Sequence, residues 1–457
     1  MAGMAGPVYL RIVQLLGQDI REGLLRPGDS LPSQRALAKQ LGINFTTVTR
    51  GYDEAKSLGL VQSHHGKGTF VSEARDIARN GLEVRPGAEG RAPIDLTSTW
   101  PPNLEIAATL AAEVRQLAQE RSFDFLARRG GTVAALDLAA GESWLQPRFA
   151  QPIEGRMAMA SGTRNALIAL LSSLVGSGGS LLVEAMIWPT VRTLATVLGI
   201  KLVPVRLDEE GLVPEALEQA ALASQATVLY CVPTVQNPTG AVMGLRRRHA
   251  LIEVARRRGL TLIEDDAYGS LQADPPPLLA TLAPDITYAI FGLAKLLSPS
   301  MRVSYVVAPD PPRTARLVEL LRATMQAAPP LEAALATRLI NSGTLARLIG
   351  QIRAEAQVRQ QTAQRLLAGS SVVIPDAGLF LWLSLPDEWS ASDFAGRLRH
   401  EGVLIAEGSA FALEGADARN AVRIATGAAD SRERLEQALE QIRSLLQQNA
   451  SLLNVID

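Results

Sequence analysis

The chain has 457 residues, 47% of them hydrophobic, and a mean hydropathy of +0.11, which is ample for a large core and, by length, for about three domains. It has no run of about 18 apolar residues and no basic N-terminal region leading into an apolar segment, so neither a membrane span nor a secretory leader is expected, and the chain reads as cytoplasmic. The lone Cys231 cannot form an internal disulfide, four histidines leave little for a metal site, and a net charge of −1 argues against a uniformly basic nucleic-acid binder. Charge is uneven, however: residues 1–72 carry eight Lys/Arg against five Asp/Glu, a surplus that the remainder offsets.

The first elements in chain order read as three helices and a hairpin. Apolar residues at helical spacing run through VYLRIVQLLGQDI, and the break LLRPGDSLP follows. Ser33 is placed to cap a second helix in SQRALAKQLG, which Gly42 ends. Asn44 caps NFTTVTRGYDEAKSLG, where Val48, Tyr52 and Ala55 share the inward face and Thr46, Thr47, Thr49 and Arg50 are left for another surface. Two short strands, LVQSH and GTFV, close around HGKG. A helix, a tight turn and a second helix with short polar residues near its start is the arrangement that sets a recognition helix into a major groove.

The run from LRPGDSLPSQR through NFTTVTRGYDEAKSLG to GKGTFV resembles the winged helix-turn-helix of the GntR family over nearly its whole length. The resemblance implies a DNA-binding domain at residues 1–72, for a double-stranded operator. Arg35 and Arg50 would contact phosphate or base edges, Thr46, Thr47 and Thr49 would line the groove, and Lys67 would approach the minor groove. Phe45 departs from the family, which commonly has arginine before the two threonines, so a shifted sequence preference is expected.

Residues 73–93 are charged, rich in Gly and Ala and without apolar periodicity, and read as a linker. From Ile94 onward helices alternate with GSLLVEA, IKLVPVRL, ATVLYCVP, LTLIEDDA, ITYAIFGL and VSYVVAP, a rhythm that predicts an α/β domain with a largely parallel sheet over about 94–310. A helix-rich stretch from about 311, then SVVIPDAGLFLWLSLP and NAVRIATG, predicts a smaller α/β lobe extending to residue 457.

Strand ends in this domain collect chemistry, as open α/β sheets do. Ser161, Gly162 and Thr163 precede a helix whose first amides suit a phosphate, although a helix cap explains them equally. Trp188 follows a strand, where an indole can stack on an aromatic ring or simply fill the core. Asn237 lies in the turn VPTVQNPTG, its amide able to donate to a ring oxygen. IEDDAYG ends a strand with three acids, one of which can keep a heteroaromatic nitrogen protonated. A magnesium site from Glu264, Asp265 and Asp266 is disfavoured, because consecutive strand residues point to opposite faces. Lys295 sits in the apolar run YAIFGLAKLLSPSMR, where burial disfavours its charged form and makes it a better nucleophile. Taken alone, a lysine snorkelling to the surface is the commoner explanation. Arg302 ends the run with a fork suited to phosphate.

In this order the segments resemble the fold type I, aspartate-aminotransferase-like class of pyridoxal-phosphate proteins over roughly residues 94–457. The resemblance implies pyridoxal 5'-phosphate as cofactor, Lys295 as its internal aldimine, Asp265 paired with the pyridine nitrogen, and Asn237 and Tyr268 near the phenolic oxygen. Trp188 would stack on the ring, Ser161, Gly162, Thr163 and Arg302 would form the phosphate site, and Arg423 in AVRIATG would receive a carboxylate. There are departures: Gly292 stands where Ser or Thr is usual, Ala294 precedes the lysine, Arg164 replaces a common Gln, and SFDFLARRGG has Phe125 but no tyrosine. A weaker phosphate grip is expected, with Ser298, Ser300 or Arg164 as substitutes.

A GntR-type head joined to such a domain is the architecture of the MocR subfamily of bacterial transcription regulators. That resemblance implies sensing of an amino compound by aldimine exchange at Lys295, closure of the small lobe on a carboxylate held by Arg423, and a homodimer pairing two winged helices on DNA half-sites. The alternative is an active aminotransferase that carries a DNA-binding domain. A third reading is a plain repressor with a cofactor-free body.

Overall fold

A computed structural model of the chain describes residues 9, 12, 15, 16, 19, 25, 28–57, 61–64, 68–71, 93–104, 106–119, 133–324, 327–413 and 420–448. The chain divides into two compact units, Met1–Pro93 and Ile94–Asp457.

In the first unit, α1 (Gln34–Leu41) begins at Ser33, whose Oγ accepts from the Ala36 amide at 3.2 Å. It ends at Gly42, where φ of 64° places the chain in the left-handed region that glycine tolerates without strain. α2 (Phe45–Ser57) starts from Asn44, whose Oδ1 accepts from the Thr46 amide at 3.0 Å. β1 (Val61–His64) and β2 (Gly68–Val71) form the antiparallel wing, with Val61 opposite Val71. Val48, Tyr52 and Ala55 point inward at i, i+4 and i+7 and pack with Ile12, Leu31, Ala38, Val61 and Val71, each buried aliphatic or aromatic side chain worth roughly 1.5–3 kcal/mol. The Tyr52 hydroxyl donates to the Pro32 carbonyl at 2.8 Å, which ties α2 to the turn before α1.

The second unit opens with β3 (Ile94–Asp95) and is built on a seven-stranded sheet. Its strands are β4 (Met157–Ala160), β5 (Ser180–Glu184), β6 (Lys201–Val205), β7 (Val228–Cys231), β8 (Thr261–Asp265), β9 (Thr287–Gly292) and β10 (Ser304–Val307), in the order β4-β10-β9-β8-β7-β5-β6. Only β10 runs against the others, so the sheet is mostly parallel. Helices cover both faces, which is why β7, β8 and β9 are near-continuous apolar runs. One face buries Tyr230, Ile263 and Ile290, and the other buries Leu229, Cys231 and Leu262. From β5 the chain steps outward to β6 and then returns to β7 on the other side of β5. This reversal opens a crevice outside the carboxyl ends of the strands.

Towards the C-terminus, β11 (Val372–Val373), β12 (Leu381–Ser384), β14 (Ala406–Glu407) and β15 (Ala421–Ile424) make an antiparallel sheet in the order β11-β12-β15-β14. β13 (Val403–Leu404) does not join it but pairs in parallel with β3, and the Ala425 amide donates to the Leu96 carbonyl at 2.9 Å. The residues immediately after Pro93 therefore belong to the C-terminal lobe, where Ile94 and Leu96 pack with Leu381, Val403 and Ile424.

Candidate functional site

At the carboxyl ends of the large sheet lies a cavity of about 670 Å³. Ser161, Gly162, Thr163, Trp188, Asn237, Asp265, Tyr268, Lys295, Arg302 and Arg423 all line it. β4 leads to Ser161, β5 to Trp188 and β7 to Asn237; Asp265 is the last residue of β8, and Lys295 follows β9. Thr97, Ser98, Thr99 and Trp100, carried past the pocket from β3, close another wall.

Lys295 is partly buried and faces the cavity rather than bulk solvent, so the snorkelling arrangement is not the one adopted. Its Nζ donates to the Thr99 carbonyl at 2.7 Å and to Thr99 Oγ1 at 2.8 Å. Burial, with Arg423 nearby, lowers its pKa to about 7, against a smaller opposing pull from Asp265. Asp265 is 4% exposed, and burial raises its pKa to about 7. Tyr230 on β7 donates its hydroxyl to Asp265 Oδ2 at 2.9 Å, while Oδ1 is buried without a partner. The neighbouring acids turn elsewhere: Glu264 faces the buried Arg248 at 3.3 Å, and Asp266 pairs with Arg148 at 2.9 Å. Strand alternation thus sends Glu264 and Asp265 to opposite faces, and no cluster of three metal-ligating side chains occurs among the described residues.

The helix that begins at Gly162 (α3, Gly162–Leu174) has no side-chain cap, because Ser161 makes no capping hydrogen bond. Its first amides are left for another acceptor. Gly162 has φ of 79° and lies against Arg302, a backbone and packing combination suited to glycine. Gly292 has a different reason to lack a side chain: a Cβ there would stand 2.7 Å from Thr163 Oγ1. The hydroxyl missing at position 292 is therefore matched in space by one arriving from α3. Arg164 is exposed, with its guanidinium 5.6 Å from the Trp188 ring centre. Arg423 on β15 donates from Nη1 to Asn237 Oδ1 at 2.7 Å and from Nη2 to the Thr97 carbonyl; its Nε is buried without a partner. The Phe411 ring lies 4.6 Å from its guanidinium, and burial lowers its pKa to about 10. Arg164, Lys295, Arg302 and Arg423 face Asp265, the one carboxylate lining the cavity among the described residues, so the pocket favours anions.

Residues 95–442 match the family Aminotransferase class I and II, and residues 8–71 match Bacterial regulatory proteins, gntR family. The uncharacterized HTH-type transcriptional regulator YdeF of Bacillus subtilis is 29% identical over 96% of this chain and 94% of its own. The vitamin B6 salvage pathway transcriptional repressor PtsJ of Salmonella typhimurium is 29% identical over 89% of this chain and 92% of its own. An archaeal alanine:glyoxylate aminotransferase shares the fold, with a TM-score of 0.72 at 20% identity over 79% of this chain and 92% of that one. The chain belongs to the MocR subfamily of GntR-type transcription regulators.

The aminotransferase fold of a MocR chain implies pyridoxal 5'-phosphate as cofactor, and the pocket fits it. The unpartnered Asp265 oxygen is an acceptor for a protonated ring nitrogen, the uncapped helix start beside Arg302 suits a phosphate, and the Lys295 amine opens on the same space. Thr99 and Tyr230 were not foreseen from the sequence of this MocR chain: Thr99 stands far from any motif, and Tyr230 reads as an apolar strand residue.

On the MocR winged helix, Arg35, Thr46 and Arg50 are exposed as expected. Thr47 and Thr49 are half-buried, which corrects their reading as exposed: α2 turns the Thr49 hydroxyl inward, where it lies 3.0 Å from Gln34 Oε1 and 3.1 Å from the Phe45 carbonyl, both acceptors. Phe45 is 43% exposed and lies 5.9 Å beneath the Arg35 guanidinium, and Arg50 stacks 4.3 Å over the Tyr9 ring. Lys67 and Phe125 lie outside the described residues. No helix among the described residues is long and apolar enough to cross a membrane.

Proposed function

We propose that this regulator binds DNA through its winged helix and senses an amino compound in the aminotransferase-type pocket, with Lys295 as the covalent anchor of the cofactor. The observation that carries the reading is the pairing of a lysine with a pKa of about 7 and a buried carboxylate with one free oxygen, facing a single anion-favouring pocket. Burial draws the amine towards its unprotonated form, which is the form that attacks a carbonyl. When bound, the cofactor would supply that carbonyl together with a pyridine ring that withdraws electrons.

The chain's own residues then have distinct tasks. Asp265, oriented by Tyr230, would keep a proton on the ring nitrogen, and Asn237 and Tyr268 would serve the phenolic oxygen. Trp188 would cover the ring. Ser161, Gly162, Thr163 and Arg302 would receive the phosphate, with Arg164 adding charge where Gly292 has no hydroxyl to give. Arg423 receives the effector's carboxylate, and its place on β15 couples that event to the lobe that also carries β3 and hence the end of the linker. The exposed Arg35, Thr46 and Arg50 would form the DNA-facing set, with Lys67 of the wing as a further contact. A homodimer would place two such heads on half-sites.

Mixing the protein with pyridoxal 5'-phosphate should give the visible absorbance of a protonated imine, absent from Lys295→Ala. An unchanged spectrum in that variant would remove Lys295 from the role. Steady conversion of an amino donor and a keto acid at ordinary enzyme rates would instead favour an aminotransferase with a DNA-binding head.

A further inference from the structure

We propose that Thr99 is a positioning residue of the pocket and that the segment it lies on, residues 94–100, is the strap through which occupancy of the pocket is passed to the linker. The inference rests on the reading of Lys295 as the cofactor anchor. Two cations that ligands would use are held by oxygens of this one segment. Lys295 Nζ donates to both the carbonyl and the hydroxyl of Thr99, at 2.7 and 2.8 Å, and Arg423 donates to the carbonyl of Thr97. The Thr99 hydroxyl also lies 3.1 Å from the Tyr268 hydroxyl, so the strap reaches a second polar group of the pocket.

The strap's other end is fixed to the C-terminal lobe. The Ile94 amide donates to the Gly402 carbonyl and the Leu96 amide to the Leu404 carbonyl, both at 2.8 Å. Between the two ends, Asp95 Oδ1 accepts from the Thr97 amide at 2.8 Å and from its hydroxyl at 2.6 Å, which closes the turn that joins them. The free side chain has two protons to donate as an amine and three as an ammonium, whereas an imine nitrogen has at most one. Capture of a carbonyl at Lys295 therefore forms a C=N bond, releases water and removes at least one of the two hydrogen bonds that hold Thr99. A ligand acts on an equilibrium only through a difference in contacts between two states, and this exchange is such a difference, placed a few residues from the linker.

Amide hydrogen exchange over residues 94–104 of the full-length protein, read beside the visible absorbance of the imine, tests this. Loading with pyridoxal 5'-phosphate should speed exchange in that segment by about tenfold, the factor given by losing one charge-assisted hydrogen bond. Lys295→Ala should exchange fast with or without the cofactor while Thr287–Gly292 stays protected, which separates release of the strap from unfolding. Thr99→Val, which keeps the main-chain acceptor, should fall between the two. If the absorbance band forms and exchange in 94–104 does not change, the strap is refuted and the anchor stands. If no band forms, both fall. Wild-type protection in Lys295→Ala would equally overturn the proposal.

Discussion

Lys295 and Asp265 are driven toward the same pH from opposite sides, the amine down from 10.5 and the carboxyl up from 3.8, each chiefly by burial. The rate of imine formation with pyridoxal 5'-phosphate should accordingly rise through a midpoint near pH 7 and level off above it; a midpoint near that of an ordinary lysine would contradict the burial argument. The stability signs are opposite. Between about 7 and 10.5 the unfolded state binds more protons at Lys295, so this group's contribution to stability rises with pH, whereas Asp265 contributes less as pH climbs from 3.8 to about 7. Tyr230→Phe would leave a second Asp265 oxygen unpaired in a buried place, and we expect cofactor affinity to fall about 3- to 30-fold in an absorbance titration, with the fold intact. The anchors of the pocket were legible because each ends a strand next to a turn or carries a charge in an apolar run. Thr99 and Tyr230 were not, since their partners lie 196 and 35 residues away and only the fold brings them together.

Among the elements, β8 shows most directly what a period of two accomplishes. It delivers Asp265 to the pocket and turns Glu264 to the other face, where the fully buried Arg248 meets it. Arg248→Ala would leave a carboxylate buried without its cation and should cost about 3–5 kcal/mol, seen as a lower urea midpoint for the larger unit; a loss under about 1 kcal/mol would mean the pair is not structural. α2 differs in that, on the proposed reading, one of its faces would serve DNA. Arg50→Ala should weaken operator binding and reduce the salt slope by about one if the guanidinium meets a phosphate, and unchanged affinity would exclude the contact. Periodicity located α1, α2 and the wing, and six of the seven strands of the large sheet. β4 escaped it because MAMA has little β propensity of its own; pairing with β10, with Met159 opposite Tyr305, makes it a strand.

At the scale of the whole molecule, the order of motifs indicated a winged helix followed by an aminotransferase-type domain, and both family matches fall on those stretches. What the sequence did not disclose is that the chain enters the second unit through the C-terminal lobe, because a two-residue strand such as β3 has no pattern to read. On the proposed reading that entry point would let the lobe carrying Arg423 act on the linker, and coupling of this kind would be reciprocal: DNA would alter affinity for the pocket's ligands as much as they alter affinity for DNA. The most direct test is the affinity of the full-length protein for a DNA fragment it retains, measured with and without pyridoxal 5'-phosphate, for the wild type and for Lys295→Ala. The wild type should change affinity about 5- to 150-fold on loading and the variant should not respond; an equal response in both would contradict the claim that Lys295 is the anchor of a sensor.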